Sequence, residues 1–179
     1  QRSPTAQWTV TGSGAFVIGR GGKVRVAEAL PGIVIDKGIS DASNMGAAMA
    51  PAAAHTIERY LKYGELLLDE IDLIVTGDLG YEGGAILCEL LSARGYDIKS
   101  KYNDCGMIIY NREVQDMHSG GSGCGCSAVV MASYIIPKIA RRELRNVLFI
   151  GTGAMMSPSS IQQGLSIPAV AHLLRFSSL

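Results

Sequence analysis

Two hydrophobic periods alternate along this chain. Leu73-Ile74-Val75-Thr76 and Val147-Leu148-Phe149-Ile150 are short continuous apolar runs bounded by turn residues. Such runs predict parallel strands buried on both faces. Elsewhere apolar positions recur every three or four residues. Met49, Ala53, Ile57, Tyr60 and Leu61 form one stripe. They predict a helix from Asn44 or Met45 to Tyr63, with Pro51 disturbing an early turn and Gly64 capping the end. Ile86, Leu87, Leu90 and Leu91 predict a second helix over Gly84 to Arg94, stopped by Gly95. Gly123 to Arg142 reads as a third, central helix. It is apolar nearly all round at Val129, Val130, Met131, Tyr134, Ile135, Ile136 and Ile139, so it is expected to be buried within the fold. Lys138, Arg141 and Arg142 in its last turn suit the helix dipole.

The remaining elements are shorter. Trp8 to Ile18 alternates in part and predicts a strand, whose small residues Thr11 to Ala15 imply close approach of another backbone. Gly21-Gly22 is a hairpin signal leading into a long antiparallel partner, Val24 to Ala29 and Gly32 to Asp36, kinked at Pro31-Gly32. Asn103-Asp104-Cys105-Gly106 reads as a turn into a strand from Met107 to Tyr110. Gly151-Thr152-Gly153-Ala154 is expected to break the strand ending at Ile150, and Met155 to Pro168 to form a long loop. Ala169 to Phe176 closes the chain as an antiparallel strand. Strands alternating with helices give an α/β fold.

Composition narrows the classes. The 179 residues suffice for one domain with a substantial core. They are 47% hydrophobic and 18% charged, with a mean hydropathy of +0.22. That is apolar for a domain of this size and points to elements buried on both faces, or to a piece of a larger core. Sixteen Lys and Arg balance 16 Asp and Glu, so no basic field is available for nucleic acid. Gln1 to Gln7 is polar, and no apolar run reaches the length of a membrane span, so neither a retained signal peptide nor a span is expected. Cys124 and Cys126 are too close to bridge each other easily, and Cys88 and Cys105 suggest no disulfide framework, so a reducing compartment is expected. Cys105, His118, Cys124 and Cys126 are zinc-ligand types without a standard zinc spacing.

Three loops fall at strand ends or at a helix start: Gly77-Asp78, Ser119 to Gly123, and Gly151 to Ser157. Ligands of open α/β sheets bind where such ends converge. The loops offer the backbone amides of Gly120 and Gly121, the hydroxyls of Ser122, Thr152 and Ser157, and the Asp78 carboxylate, with Asn103 and Asp104 adjacent. A helix start with unpaired N–H groups is a natural anion site. The set suits hydrogen bonding and cation coordination better than acid–base catalysis. His55 and His172 lie outside the loops, and His118, just before the glycine run, is the one candidate base. Asp78 also reads as a cap for the following helix. Cys124 or Cys126 could be activated at the helix start, but burial under the central helix is the expected fate.

A set of stretches in order along the chain carries a family resemblance. They are Val10 to Ala15, Met49 to Ala54, Thr76 to Leu79, Asn103 to Gly106, Gly120 to Val130, and Gly151 to Ala154 with Ser157-Pro158. Gln162-Gln163 and Ser166-Ile167-Pro168 before Ala171-His172 complete it. The chain resembles the C-terminal half of the stage V sporulation protein AD family, thiolase-like proteins of spore-forming bacteria. The resemblance implies a thiolase-like layered α/β fold: residues 1–37 end the N-terminal half with its connecting hairpin, and 38–179 form the C-terminal half, with a mixed parallel and antiparallel sheet. It also implies that a nucleophile-bearing first-half helix lies outside this chain. Where condensing enzymes place a catalytic histidine this chain has Gly77-Asp78. Ser122 is the nearest match to their loop asparagine, and Phe149 stands for the second cysteine of thiolases.

These departures remove proton transfer and oxyanion support. What is implied is a non-catalytic binding protein with no resident metal. An acyltransferase with its nucleophile upstream and a mainly structural role docking a membrane channel are the alternatives. The resemblance further implies dipicolinic acid as ligand, with calcium as part of that ligand, held among Asp78, Asn103, Asp104, Gly120, Gly121, Ser122, Thr152 and Ser157. It implies the other stage V sporulation A proteins as partners, at the cytoplasmic face of the forespore inner membrane in peripheral association. A half-protein with buried-sheet strands is expected to expose apolar surface, and so to meet a partner half or form a homo-oligomer.

Overall fold

The computed structural model describes residues 3–179; Gln1 and Arg2, which open the first expected domain, lie outside the described residues. Seven strands and six α-helices follow one another: β1 (Trp8–Thr9), β2 (Val24–Leu30), α1 (Met45–Tyr63), β3 (Leu73–Thr76), α2 (Gly80–Ser92), β4 (Tyr102–Asp104), α3 (Cys105–Ile108), β5 (Gly121–Ser122), α4 (Cys124–Val130), α5 (Ile136–Ala140), β6 (Asn146–Ala154), α6 (Pro158–Gln162) and β7 (Ala169–Ser178). Five strands form one mixed sheet in the order β2-β7-β6-β3-β4. β3 is parallel to β4 and β6, and β7 is antiparallel to β6 and β2. β1 and β5 make a separate parallel pair.

Period-two alternation assigns the sheet residues to two cores. Ile74, Leu148, Ile150 and Leu173 face α1 and α2, where Ala53, Ile57, Leu87 and Leu91 are fully buried. Val75 and Val147 face the other way, against Cys126, Val130, Met131, Ile135 and Ile139 of the central helix. The sheet is therefore sandwiched between two helical layers. The α/β fold and the mixed sheet are as the sequence predicts. β2, on the N-terminal side of residue 38, is hydrogen-bonded along β7 within this sheet.

Several elements match their sequence pattern closely. α1 starts where expected, with Asn44 Oδ1 accepting from the Ala47 N–H, and its predicted stripe is buried except for Leu61, which is partly so. β3 and the antiparallel β7 are also as read. The close backbone approach at the small residues of 11–15 is real: a Cβ on Gly14 would lie 2.3 Å from the Ala128 carbonyl oxygen.

Other expectations are corrected. Only Trp8–Thr9 of the predicted first strand is a strand, and no hairpin joins it to β2; both find partners far along the chain, in β5 and β7. Of Gly32 to Asp36, only Ile35 makes a bridge, to Ala169. The strand expected at Met107 to Tyr110 lies earlier, at β4, because Asp104 accepts from the Gly106 N–H and caps a helical turn at Cys105–Ile108 instead. β6 runs through Gly151-Thr152-Gly153 to Ala154, since β7 pairs with it throughout. The loop after it contains α6. The central helix is not one regular helix: a π turn at Met131–Ile135 separates α4 from α5. Pro137 lacks an N–H and its ring would crowd the carbonyl four residues back, which a wider turn relieves. Nor is that helix buried all round, since Tyr134 is 45% exposed and takes Lys138 Nζ over its ring at 4.4 Å.

Apolar surface is open elsewhere. Phe16, Val17 and Ile18 are exposed, Val17 fully, beside an apolar groove of about 870 Å³ that includes Met131, Phe149 and Phe176. No helix among the described residues is long and apolar enough to cross a membrane.

An ion-pair cluster fastens α1 to the sheet edge. Arg175 on β7 is 5% exposed, donates from Nε to Glu28 Oε2 on β2, and from Nη2 to Glu65 Oε2 at 2.6 Å. The Tyr60 hydroxyl donates to the same Glu28 oxygen at 2.6 Å. Burial raises the Glu28 pKa, but the bonds from Tyr60 and Arg175 outweigh it and the net shift is downward. A depressed carboxylate pKa stabilises the fold above the unfolded value, and that contribution is lost as the pH falls through the folded one. Glu28→Gln is therefore expected to cost about 3 kcal/mol in neutral denaturant unfolding, because it leaves a buried guanidinium short of its partner. On acidification below pH 4.5 the variant should lose less additional stability than the parent. Equal acid sensitivity of the two proteins would contradict the assignment.

Candidate functional site

The three loops singled out in the sequence meet at one carboxylate. Asp78 sits just beyond the carboxyl end of β3. Its Oδ1 accepts from the Thr152 hydroxyl at 2.8 Å, and its Oδ2 accepts from the Gly123 N–H at 2.9 Å. Thr152 Oγ1 in turn accepts from the Asp78 N–H at 3.2 Å. Parallel pairing of β3 with β6 sets Thr76 beside Ile150, which places residue 152 level with residue 78. Burial pushes the Asp78 pKa up, and the bonds from Gly123 and Thr152 oppose that rise. Since Gly123 is the residue that caps α4, the anion position expected at this helix start holds the protein's own carboxylate.

Asp104 has a different task. It is fully buried. Oδ2 accepts from the Thr76 hydroxyl at 2.6 Å and the Leu79 N–H at 2.8 Å; Oδ1 accepts from the N–H groups of Gly80 at 3.0 Å and Gly106 at 2.9 Å. Thr76 gives its proton to Asp104, so the Tyr102 hydroxyl, 2.7 Å away, donates to Thr76. These bonds cap two helices at once. They explain why α2 begins at Gly80 rather than near Gly84, a start that also needs the positive φ of 67° at Gly80. Burial raises the Asp104 pKa to about 6, against the opposing bonds from Thr76, Gly80 and Leu79; the Asp78 charge adds to the rise. Asn103 Oδ1 accepts from the Asp104 N–H at 2.8 Å and so serves the same turn.

The glycine loop is held from an unexpected direction. β1 pairs with β5, setting Trp8 beside Gly121 and Thr9 beside Ser122. Gln7 Nε2 donates to the Asp78 carbonyl at 2.8 Å and to the Gly121 carbonyl at 3.1 Å. Gln7 thus staples two of the three loops, and its Oε1 is buried without a partner. In the sequence Gln7 closes a polar stretch, Gln1 to Gln7. The contacts span 71 and 114 residues, and no local pattern announces them.

The other candidates are placed as follows. Gly120 and Gly121 pass their carbonyls to Trp8 and Gln7. Ser122 is 4% exposed, and its carbonyl accepts from the Val10 N–H. Ser157 caps α6 through the Ser160 N–H at 3.1 Å, and its hydrogen bonds stay within that turn. His118 Nδ1 lies 2.8 Å from the Ser3 carbonyl and Nε2 lies 3.2 Å from Asp116 Oδ1, so both ring nitrogens are engaged away from Asp78. His172 Nδ1 accepts from the Gly32 N–H. Cys126 is fully buried, as expected, and burial pushes its thiol up to about 12; Cys105 is raised further. Cys124 at the start of α4 is exposed, against the burial expected from the sequence. Among the described residues no three His, Cys, Asp or Glu side chains come together as a metal site.

Comparison with known proteins gives the lineage. Residues 1–177 match the family Stage V sporulation protein AD (SpoVAD). Over 173 residues the chain is 45% identical to Stage V sporulation protein AD of Bacillus subtilis (strain 168), covering 96% of this chain and 51% of that protein. The chain therefore spans about half the length of this relative. Two solved structures are similar at lower levels. Acetyl-CoA acetyltransferase of Bacillus anthracis is 17% identical, with a TM-score of 0.46 over 88% of this chain and 31% of its own. Human mitochondrial 3-ketoacyl-CoA thiolase is 18% identical, with a TM-score of 0.38 over 84% and 30%.

The Asp104 hub makes a signed prediction. Its folded pKa is raised above 3.8, so its contribution to stability is full below that value and is lost as the pH rises through about 6. Asp104→Asn replaces one acceptor oxygen by a donor facing backbone N–H groups, an expected loss of about 2–3 kcal/mol at pH 7. Unfolding across pH 4 to 6 should show a decline in the parent that the variant lacks. A parallel decline in both would refute the assignment.

Proposed function

The chain belongs to the stage V sporulation protein AD family, and on that premise we propose that it is a non-catalytic, ligand-binding part of a sporulation protein, that its ligand is dipicolinate taken with calcium, and that it serves the uptake of that ligand into the spore. The observation that supports this reading most is the treatment of a carboxylate at the meeting of the three loops. The Gly123 N–H and the Thr152 hydroxyl are set to hold carboxylate oxygens at 2.9 and 2.8 Å. Dipicolinate is a planar aromatic dicarboxylate, and donors of this kind suit it. The nearby Asp78 charge disfavours the bare dianion, whereas calcium in the ligand offsets that repulsion.

Chemistry in the same place argues against the acyltransferase alternative for this part of the protein. No histidine reaches Asp78, and the buried Cys105 and Cys126 thiols are pushed away from the thiolate form. Peripheral association with the forespore inner membrane, and partnership with the other stage V sporulation A proteins, belong to the same proposal. The exposed run at Phe16 to Ile18 supports a covering partner, either the other half of the protein or a second copy.

Calorimetric titration of the intact protein with dipicolinate, with and without calcium, tests the reading. Saturable binding is expected, and Thr152→Val should weaken it about tenfold by removing one charge-assisted hydrogen bond. No heat and no thermal shift in either condition would sink the proposal.

A further inference from the structure

We propose that Asp78 is an internal competitor for the ligand: its carboxylate occupies the Gly123 N–H and the Thr152 hydroxyl, and must leave them before a ligand carboxylate can take them. This inference rests on the ligand-binding reading above and adds to it how access to that site is controlled.

The argument is one of donor count. Thr152 has a single hydroxyl proton, and it points at Asp78 Oδ1. Gly123 has a single N–H, and it points at Asp78 Oδ2. Both oxygens of a half-buried carboxylate are thereby used at 2.8 and 2.9 Å. A second carboxylate cannot share those protons without placing two anions side by side in a poorly solvated space, where repulsion is far stronger than in water. The neighbours sharpen this cost. Asp104 raises the local negative potential, and Cys105 and Cys126 on α3 and α4 are neutral thiols that supply no counter-charge. No cation pairs with Asp78 among the described residues. Asp78 is also held by fewer donors than Asp104. Its anchors are one hydroxyl and one amide, whereas Asp104 is held by four donors.

The arrangement gives the site a closed resting state. With no ligand, Asp78 satisfies the start of α4 and ties β3 to β6 through Thr152. With ligand, the same donors transfer to it and Asp78 turns away. Binding energy is reduced by the cost of that displacement, so removing the Asp78 charge strengthens binding even though it removes a native hydrogen-bond acceptor.

The test is a titration of the intact protein and its Asp78→Asn and Asp78→Ala variants with dipicolinate, picolinate and pyridine, with folding checked by thermal unfolding. Both variants are expected to bind dipicolinate and picolinate about tenfold more tightly than the parent, the scale of one charge-assisted interaction. Pyridine, which lacks a carboxylate, should gain nothing. Binding in the parent with unchanged or weaker binding in folded variants would overturn the competitor role and leave the ligand-binding reading standing. An equal gain for pyridine would overturn it too, since the effect would then be one of space rather than of carboxylate exchange. No binding by parent or variants would remove both. Because Asp78→Ala cannot reproduce the native bonds and Asp78→Asn nearly can, agreement between them separates loss of charge from loss of shape.

Discussion

Thr76 and Asp104 end adjacent parallel strands in register, and the hydrogen bond between their side chains fixes the carboxyl edge of the sheet. From there the Asp104 carboxylate reaches the first amides of α2 and the turn of α3. A buried carboxylate is costly unless nearly every lone pair is used. Here four donors use them, and Tyr102 completes the set by donating to Thr76. The loop from Gly77 to Gly80 has little freedom once this cluster forms, and Asp78 is the residue it presents.

Two carboxylates lie close together and divide the work. Asp104 is enclosed and multiply bonded, so it sets geometry. Asp78 has fewer partners and stands at the meeting point of three loops, so it ties those loops together. Burial raises the tendency of both to hold a proton, and the Asp78 charge adds to the rise at Asp104. Bonded to the Thr152 hydroxyl and the Gly123 N–H, Asp78 holds its charge where three loops meet.

The sheet's inner strands and α1 were legible because a strand buried on both faces and a one-sided helix each leave a plain apolar period, as in Leu73 to Thr76 and the stripe from Met49 to Tyr60. The meeting of Gly77-Asp78, the glycine loop and Thr152 was legible too, from strand ends in an α/β plan. The rest depended on side chains acting over distance. Met107 to Tyr110 has the composition of a strand, yet Asp104 starts a helical turn just before it. Gly151 to Gly153 has the composition of a break, yet β7 supplies a full ladder of partners. Asp104 reads as a ligand candidate from its neighbours in sequence. Three of its four donors lie between Thr76 and Gly80, more than twenty residues earlier, where only strand pairing brings them to it.

The N-terminal segment shows how far the local site depends on remote chain. Trp8 and Thr9 pair with Gly121 and Ser122, Gln7 staples the Asp78 and Gly121 carbonyls, and Gly14 allows the backbone to cross at Ala128. The segment therefore clamps the glycine loop against the start of α4. Immediately beyond the clamp, Phe16, Val17 and Ile18 carry strand-forming side chains but remain exposed. A covering surface that ordered this run would pull on the same segment that seats Gln7 beside Asp78. The apolar groove also borders Ser127 and Ala128 of α4 and Phe149 of β6, so it meets the loop site through that helix and that strand as well as through residues 8–17.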